Sequence, residues 1–127
     1  MKKPSIPTLR RKLDRVFSVF IRKRGTNMDG YGPCVTCGTW MHWSAANAGH
    51  WIKRQHLATR YDERNVNFQC VQCNLWKHGN LIEYTFYMQK KYGHSVVIEL
   101  MRLKRTTVKL TRADYEAMIA RFSQGGK

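Results

Sequence analysis

Apolar and basic positions alternate with a helical period in the first part of the chain. Between Pro7 and Gly25 the apolar residues recur at the spacing of one helix face. We predict a helix here, with Thr8 as its N-cap and Gly25 directly after its last turn. Its apolar positions are Leu9, Leu13, Val16, Phe17, Phe20 and Ile21. Its other face carries basic residues that are either solvated or in contact with phosphate: Arg10, Arg11, Lys12, Arg15, Arg22 and Lys23.

Helices are also predicted in the second half of the chain. The segment LIEYTFYMQKKY follows Asn80, a candidate N-cap whose capping-box partner would be Glu83, and Gly93 closes the segment. The next segment, SVVIELMRLKR, fits either a helix or a strand, and we favour the helix.

The last helix is predicted within LTRADYEAMIARF, where Thr111 and Asp114 have the spacing of a second capping box. Its apolar stripe belongs either to the core or to a contact with a second protomer. The stripe consists of Tyr115, Met118, Ile119 and Phe122.

The middle of the chain has shorter patterns, which predict strands and turns. The stretch CVTCGTWMHW predicts a cysteine knuckle that leads into a short strand, and a second strand is expected around Gly49–Ile52. The polar stretch KRQHLATRYDER is predicted to be a loop. A short helix is expected to begin at about Asn74–Lys77 and to be interrupted at Gly79. Together these elements predict an α+β fold.

Length and charge narrow the class of protein. A chain of 127 residues suits a single domain. Its formal net charge of +15 favours an anionic partner, either nucleic acid or a membrane surface. We find no run of about 20 apolar residues that would span a membrane, and the first residues lack the apolar region of a secretory signal. We therefore expect no membrane partner, a cytoplasmic location and reduced cysteines.

The four cysteines form two CxxC pairs, Cys34 with Cys37 and Cys70 with Cys73. In a reducing compartment this pattern predicts a structural Zn²⁺ site, because four thiolates fill a tetrahedron and leave no position for water. Two redox pairs are the alternative, although neither pair lies in a thioredoxin-like context. The gap at 38–69 is longer than that of a plain zinc ribbon, which indicates a functional insertion.

The insertion and the second cysteine pair resemble the HNH nucleases, whose ββα-metal motif is often embedded between CxxC pairs. The matching residues are His50 in AGHWI, Asn65 before Cys70, and Asn74 directly after Cys73. This resemblance implies that His50 is the general base and that Asn65 braces the loop carrying it. It also implies that Asn74 binds a catalytic Mg²⁺ or Mn²⁺.

A second ligand is expected at His78, four residues after Asn74 and thus on the same face of a continuous helix. Other readings stay open, since His50 could be structural, Asn65 a turn residue and Asn74 a helix N-cap. Many HNH sites also have a metal ligand directly before the base, where this chain has Gly49. Asp62 and Glu63 are flanked by arginines, which favours ion pairing over metal binding.

A broader resemblance covers about Leu9 to Gly93. The segments DRVFSVFIRKR, CVTCG, AGHWIKR, RYDERNVNFQCVQCN and GNLIEY resemble the phage lambda NinG family, also called Rap. This resemblance implies a recombination endonuclease that acts on branched DNA, such as D-loops and Holliday junctions, in the cytoplasm of the bacterial host. Resolving a junction needs two cuts, so a homodimer is a natural expectation.

These observations predict one nuclease domain over residues 1–127. In this division 1–33 hold the basic helix and a linker, 34–93 the zinc-stapled HNH-like core, and 94–127 the C-terminal helical segment. Two rival functions stay open: a non-catalytic zinc-ribbon module that binds nucleic acid, and a sequence-specific HNH nuclease. The residues expected to contact DNA are Arg10, Arg11, Lys12, Arg15, Lys53, Arg54, His56 and Arg60.

Overall fold

The computed structural model describes residues 2–124, and in this range the chain is α+β, as predicted. Short strands occupy the middle of the chain and helices lie on both sides of them in sequence. In chain order the elements are α1 Ile6–Arg24, β1 Tyr31–Pro33, β2 Trp40–His42, a 3-10 turn Trp43–Ala45, β3 Asn47–His50, α2 Leu57–Arg60, β4 Val66–Gln69, a π-helical turn Gln72–Trp76, α3 Leu81–Tyr92, α4 His94–Lys104 and α5 Arg112–Ser123. Within this range, no helix has the length and apolar character needed to cross a membrane.

The strands form two antiparallel pairs. In the first pair β1 lies against β2, with Tyr31 opposite His42. In the second pair β3 lies against β4, and the ladder ends where His50 faces Val66. The first CxxC pair falls between β1 and β2, and the second directly follows β4. The turn of the first hairpin and the segment that follows the second hairpin therefore supply all four cysteines.

The described elements fall into two units, with the boundary inside α1. The larger unit is Ile21–Val108 and contains both hairpins, α3 and α4. Its core is an apolar cluster contributed by the β3–α2 loop and by these two helices. The buried members are Ile52, Tyr84, Met88, Val97 and Leu100.

The smaller unit combines the described residues of α1 up to Phe20 with those from Lys109 onward. The ring of Phe122 packs against those of Phe17 and Phe20, with centroids 4.8 and 5.1 Å away. Tyr115, Ile119 and Phe122 are buried here, which assigns this face of α5 to a core. The predicted capping box between Thr111 and Asp114 is present.

Several predicted boundaries were wrong. Helix α1 begins at Ile6, and Thr8 lies inside it because the hydroxyl of Ser5 accepts the backbone N–H of Thr8 at 3.3 Å. The segment predicted to be a loop contains α2, a single turn that is too short for a clear periodic signal. Asn80 has a left-handed φ of 49° and makes no side-chain capping bond, so its capping box with Glu83 is absent.

Candidate metal centre and histidine–asparagine hairpin

The four cysteine sulfurs come together at one point, although their two CxxC pairs are far apart in sequence. All four Sγ atoms lie within 4.8 Å of one another. Cys37 Sγ and Cys70 Sγ are 3.7 Å apart, close to the ~3.8 Å edge of a tetrahedron with Zn–S bonds of about 2.3 Å. The donor set therefore fits a tetrahedral zinc ion. Among residues 2–124 no second group of three or more His, Cys, Asp or Glu side chains could hold a metal ion.

The surroundings of the sulfurs differ. Cys34, Cys70 and Cys73 are buried, whereas Cys37 is exposed. A hydrogen bond with Thr39 lowers the pKa of Cys37 to about 6, while burial raises the pKa of Cys70 to about 12. Buried thiols resist ionisation without a nearby cation, and a bound Zn²⁺ would hold all four sulfurs as thiolates.

His50 is the last residue of β3 and is partly exposed. Its Nε2 lies 2.9 Å from the backbone carbonyl oxygen of Arg60. A carbonyl only accepts hydrogen bonds, so Nε2 must carry the proton in this contact. In the neutral imidazole the basic nitrogen is then Nδ1. The strand fixes the position of the ring, and the Arg60 carbonyl fixes its tautomer.

Asn65 is completely buried at the turn that precedes β4. Its Oδ1 accepts the backbone N–H of Ile52 at 2.8 Å, and its Nδ2 donates to Ile52 O at 3.0 Å and to Thr59 O at 3.1 Å. The backbone N–H and carbonyl of Ile52 thus bond to a side chain and not to the backbone of β4. The expected strand at Gly49–Ile52 accordingly ends at His50. Asn65 holds both ends of the loop that follows His50, which is the position expected for a brace.

Gly49, the residue before His50, has no room for a side chain. A Cβ at this position would overlap Gln69 Oε1 and would lie 2.8 Å from Gln69 Cδ. The Gln69 side chain is itself held, since its Nε2 donates to Thr36 Oγ1 at 3.1 Å and to Gly79 O at 2.8 Å. Thr36 Oγ1 in turn lies 3.3 Å from Cys34 Sγ, so Gln69 links the cysteine cluster to β3.

The predicted ligands of a catalytic ion lie in different local structures. Asn74 is partly exposed and belongs to the π-helical turn, which ends at Trp76. His78 lies beyond this turn with a left-handed φ of 52°. The argument from helical spacing was therefore wrong, because the two residues do not share one helix. The role of Asn74 as a ligand stays a prediction, and that of His78 loses its geometric support.

Asp62, one of the two acidic residues of the loop, forms an ion pair with Arg64, as expected. Both carboxylate oxygens of Asp62 accept hydrogen bonds from the Arg64 guanidinium, at 2.8 and 3.0 Å. A third guanidinium nitrogen of Arg64 reaches Glu99 at 2.6 Å. These contacts favour an ion-pair role for Asp62 over metal binding.

The residues expected to contact DNA have varied surroundings. In the smaller unit Arg10 is partly buried and donates to the Tyr115 hydroxyl at 3.0 Å, whereas Arg11, Lys12 and Arg15 are exposed. In the larger unit Lys53 Nζ donates to His78 O at 3.0 Å. The others there are Arg54, which is exposed, and His56 and Arg60, which are partly exposed.

Sequence patterns did not reveal a cleft of about 390 Å³ in the larger unit. Its lining begins at Trp51, the residue after His50, and includes residues of the following loop and of α3 and α4. The cleft arises from contacts between segments that are distant in sequence. The one local hint was the apolar pair Trp51 and Ile52 within a polar stretch.

Fold and site together define an α+β protein in which a four-cysteine cluster adjoins a histidine–asparagine hairpin. The family model described as "Bacteriophage Lambda NinG protein" matches residues 3–127, so the chain belongs to the NinG family. Protein ninG of Escherichia phage 933W is 34% identical over 91 residues, which cover 71% of this chain and 43% of that protein. The ninG proteins of Salmonella phage P22 and Escherichia phage lambda are 33% identical over 91 residues, covering 71% of this chain and 42% of each relative.

No solved structure gives a significant match to the chain. The aligned part also spans less than half the length of these curated relatives. Membership of the family is therefore shown by sequence.

Proposed function

We propose that this protein is a metal-dependent, structure-selective DNA endonuclease with an HNH-type core, acting on branched recombination intermediates in the host cytoplasm. One observation carries the proposal. His50 stands at the end of β3 with Nε2 bonded to the Arg60 carbonyl, which makes Nδ1 its basic nitrogen. Asn65 clamps the loop directly after His50. A base with a fixed tautomer on a braced backbone is what general-base catalysis requires.

In the proposed reaction, His50 Nδ1 takes a proton from a water molecule. The water oxygen forms a bond to phosphorus, and the bond from phosphorus to the 3′-oxygen breaks. The leaving oxygen takes a proton from solvent, so the products carry a 5′-phosphate and a 3′-hydroxyl. Asn65 does not touch the substrate in this scheme. It keeps the residues after His50 from moving when DNA binds.

A divalent cation, when bound, would neutralise charge on the phosphate and on the leaving oxygen. Asn74 offers an amide oxygen for it. Gly49 has no side chain that could bind the ion, and the packing of Gln69 leaves no space for a larger residue at this position. Mg²⁺ commonly keeps several waters and binds through substrate phosphates, so a site with few protein ligands suits that ion.

Binding to DNA is expected to rest on phosphate contacts, because the chain carries a net charge of +15. Such contacts position a protein on DNA without reading base sequence. Selectivity would then come from the shape of the branched substrate. A homodimer would place two such sites on one junction.

Cleavage of a four-way junction, compared with a linear duplex of the same sequence, tests the proposal. Zinc-loaded protein is incubated with each DNA with and without added Mg²⁺ or Mn²⁺, and no chelator is used, so that the structural zinc stays bound. We expect cation-dependent cutting of the junction and much slower cutting of the duplex. Tight binding without cutting under any of these conditions would instead favour a non-catalytic zinc-ribbon module. Cutting of one duplex sequence would favour a sequence-specific HNH nuclease.

A further inference from the structure

The cleft that begins at Trp51 combines an apolar floor with a basic rim. Trp51, Leu81 and Met101 contribute apolar surface. The indole Nε1 of Trp51 donates to Thr85 Oγ1 at 3.0 Å, which fixes the ring against α3. Leu81 and Met101 stay 43% and 47% exposed, so this floor is accessible to a ligand. Apolar surface that includes an aromatic ring suits a planar ligand.

Charge on the cleft has one sign. Lys53, Lys104 and Arg105 line it together with the imidazole of His56, and none of the described residues that line it is acidic. The side chains of Lys104 and Arg105 are exposed at the end of α4. A ligand that fits both features has a planar apolar part and an anionic part. A nucleotide has this combination, with a base for the floor and a phosphate for the rim.

Size restricts the form of the nucleic acid. The cleft volume of about 390 Å³ lies near the lower end of small-ligand pockets, which run from about 300 to 1,000 Å³. It suits one nucleotide and excludes a stacked duplex. A base can enter only after it has left the helical stack, and this costs least where the base is already unpaired.

We propose that this cleft binds a single unpaired nucleotide of DNA next to the branch point, and so contributes to substrate selection. The inference rests on the proposed nuclease function, because it places the cleft directly after the proposed base. Asn65 connects the two, since it holds the backbone of Ile52, which lines the cleft, two residues from His50. Strands at a junction or D-loop offer such unpaired nucleotides.

Binding of bulged DNA, with no divalent cation added, tests the cleft separately from cleavage. A duplex with one unpaired 2-aminopurine nucleotide is compared with the same duplex fully paired. Wild-type protein is expected to bind the bulge roughly 5- to 150-fold more tightly, as stacking of one base on an aromatic side chain predicts, and to change the 2-aminopurine fluorescence.

Two residues of α4 provide a matched pair of variants. Met101→Glu introduces an acid into the cleft, whereas Ile98→Glu introduces the same charge one turn away, outside the lining. The two side chains are 47% and 48% exposed, so both variants should fold. Met101→Glu is expected to remove most of the bulge preference, and Ile98→Glu to keep it. A second pair, Lys104→Ala against Arg102→Ala, tests the rim in the same way.

Equal loss of bulge preference in Met101→Glu and Ile98→Glu would overturn the proposal, as would wild-type protein that binds bulged and paired DNA alike. The cleft and the nuclease can fail independently. If no DNA is cut but the two variants differ as expected, the cleft is supported and the nuclease assignment fails. If DNA is cut but the variants do not differ, the cleft proposal alone fails.

Discussion

Asn65 hydrogen-bonds both backbone groups of Ile52, accepting from its N–H at 2.8 Å and donating to its carbonyl at 3.0 Å. This closed pair of bonds lies in the core, where Asn65 is fully buried and Ile52 is only 7% exposed. It fixes the direction in which the chain leaves His50. The positions of the candidate base and of the cleft that follows it thus both depend on the buried side-chain amide of Asn65.

Replacing Asn65 should mainly lower stability, whereas replacing Asn74 should mainly lower cleavage. Asn65→Ala leaves the backbone N–H and the carbonyl of Ile52 without their Asn65 partner in the core, each of which costs about 1–3 kcal/mol, whereas the Thr59 carbonyl still accepts the backbone N–H of Asp62. We expect a lower free energy of unfolding by several kcal/mol and reduced but measurable cleavage. Asn74→Ala, at a partly exposed position, should unfold like wild type and lose cleavage. Urea titration and a junction assay measure the two effects, and a normal urea midpoint in Asn65→Ala would contradict the brace.

Gly49→Ala tests the close packing between β3 and Gln69. The new methyl group displaces a side chain that is bonded to Thr36 and Gly79, and overpacking of this kind commonly costs about 1–3 kcal/mol. Gly25→Ala is the matched control, because its nearest neighbour would lie at an ordinary 3.4 Å from the new Cβ. Thermal melting should show a clear loss for the first variant and little change for the second. Equal melting temperatures would argue against the packing described here.

Removal of zinc should unfold the larger unit. Structural zinc supplies about 10–16 kcal/mol of apparent binding free energy in small zinc-finger peptides. We therefore expect Cys34→Ser and Cys70→Ser to lose zinc and cooperative melting together. Zinc content is measured by metal analysis on the same samples. A cooperative melt at the wild-type temperature without bound zinc would contradict the claim that zinc bound by the four cysteines stabilises this unit.

Tyr84 should make stability sensitive to alkaline pH. Its hydroxyl is buried and donates to Gly49 O at 2.6 Å, and burial raises its pKa well above the value of about 10 in an unfolded chain. Below pH 10 both states keep the proton and the full stability is present. Above it only the unfolded state ionises, so the free energy of unfolding falls by up to about 1.4 kcal/mol per pH unit from this group.

Tyr84→Phe removes the bond that the hydroxyl donates to Gly49 O and the one that it accepts from Asn67 Nδ2, so it should lower stability at neutral pH by about 0.5–1.5 kcal/mol for each bond and flatten the alkaline slope. Tyr31→Phe serves as the control, because Tyr31 is exposed. Urea titrations between pH 8 and pH 11 compare the two variants with wild type. If the free energy of unfolding of Tyr84→Phe falls with pH as steeply as that of wild type, groups other than Tyr84 cause the loss of stability at alkaline pH.

Local patterns in the sequence predicted the helices well. The apolar spacing of α1, α3 and α5 and the capping box at Thr111 all depend on residues within one or two turns. The spacing of the two CxxC pairs predicted that the four cysteines come together, because four thiolates in a chain this short suit one metal ion. The Asp62–Arg64 ion pair was also expected from its neighbours in the chain.

Long-range packing accounts for what the sequence did not predict. The contact between Gly49 and Gln69 depends on the register of two strands, and the cleft depends on how the β3–α2 loop meets α3 and α4. The left-handed backbone of His78 and Asn80 was also not predicted, because His and Asn adopt this conformation more often than most residues but only in a minority of cases. Residues predicted by resemblance, such as His50 and Asn65, lie in adjoining segments of one hairpin.

Single-turnover cleavage of a four-way junction by His50→Ala tests the central claim most directly. Zinc content, melting temperature and junction affinity are measured on the same protein, and His94→Ala, at an exposed position on α4, serves as the control. We expect His50→Ala to cut about 10²–10⁴-fold more slowly with the other three properties near wild type, since a general base contributes this much. His56→Ala should bind more weakly and still cut at saturating enzyme. Cutting by His50→Ala at the wild-type rate would contradict the assignment of His50 as the base.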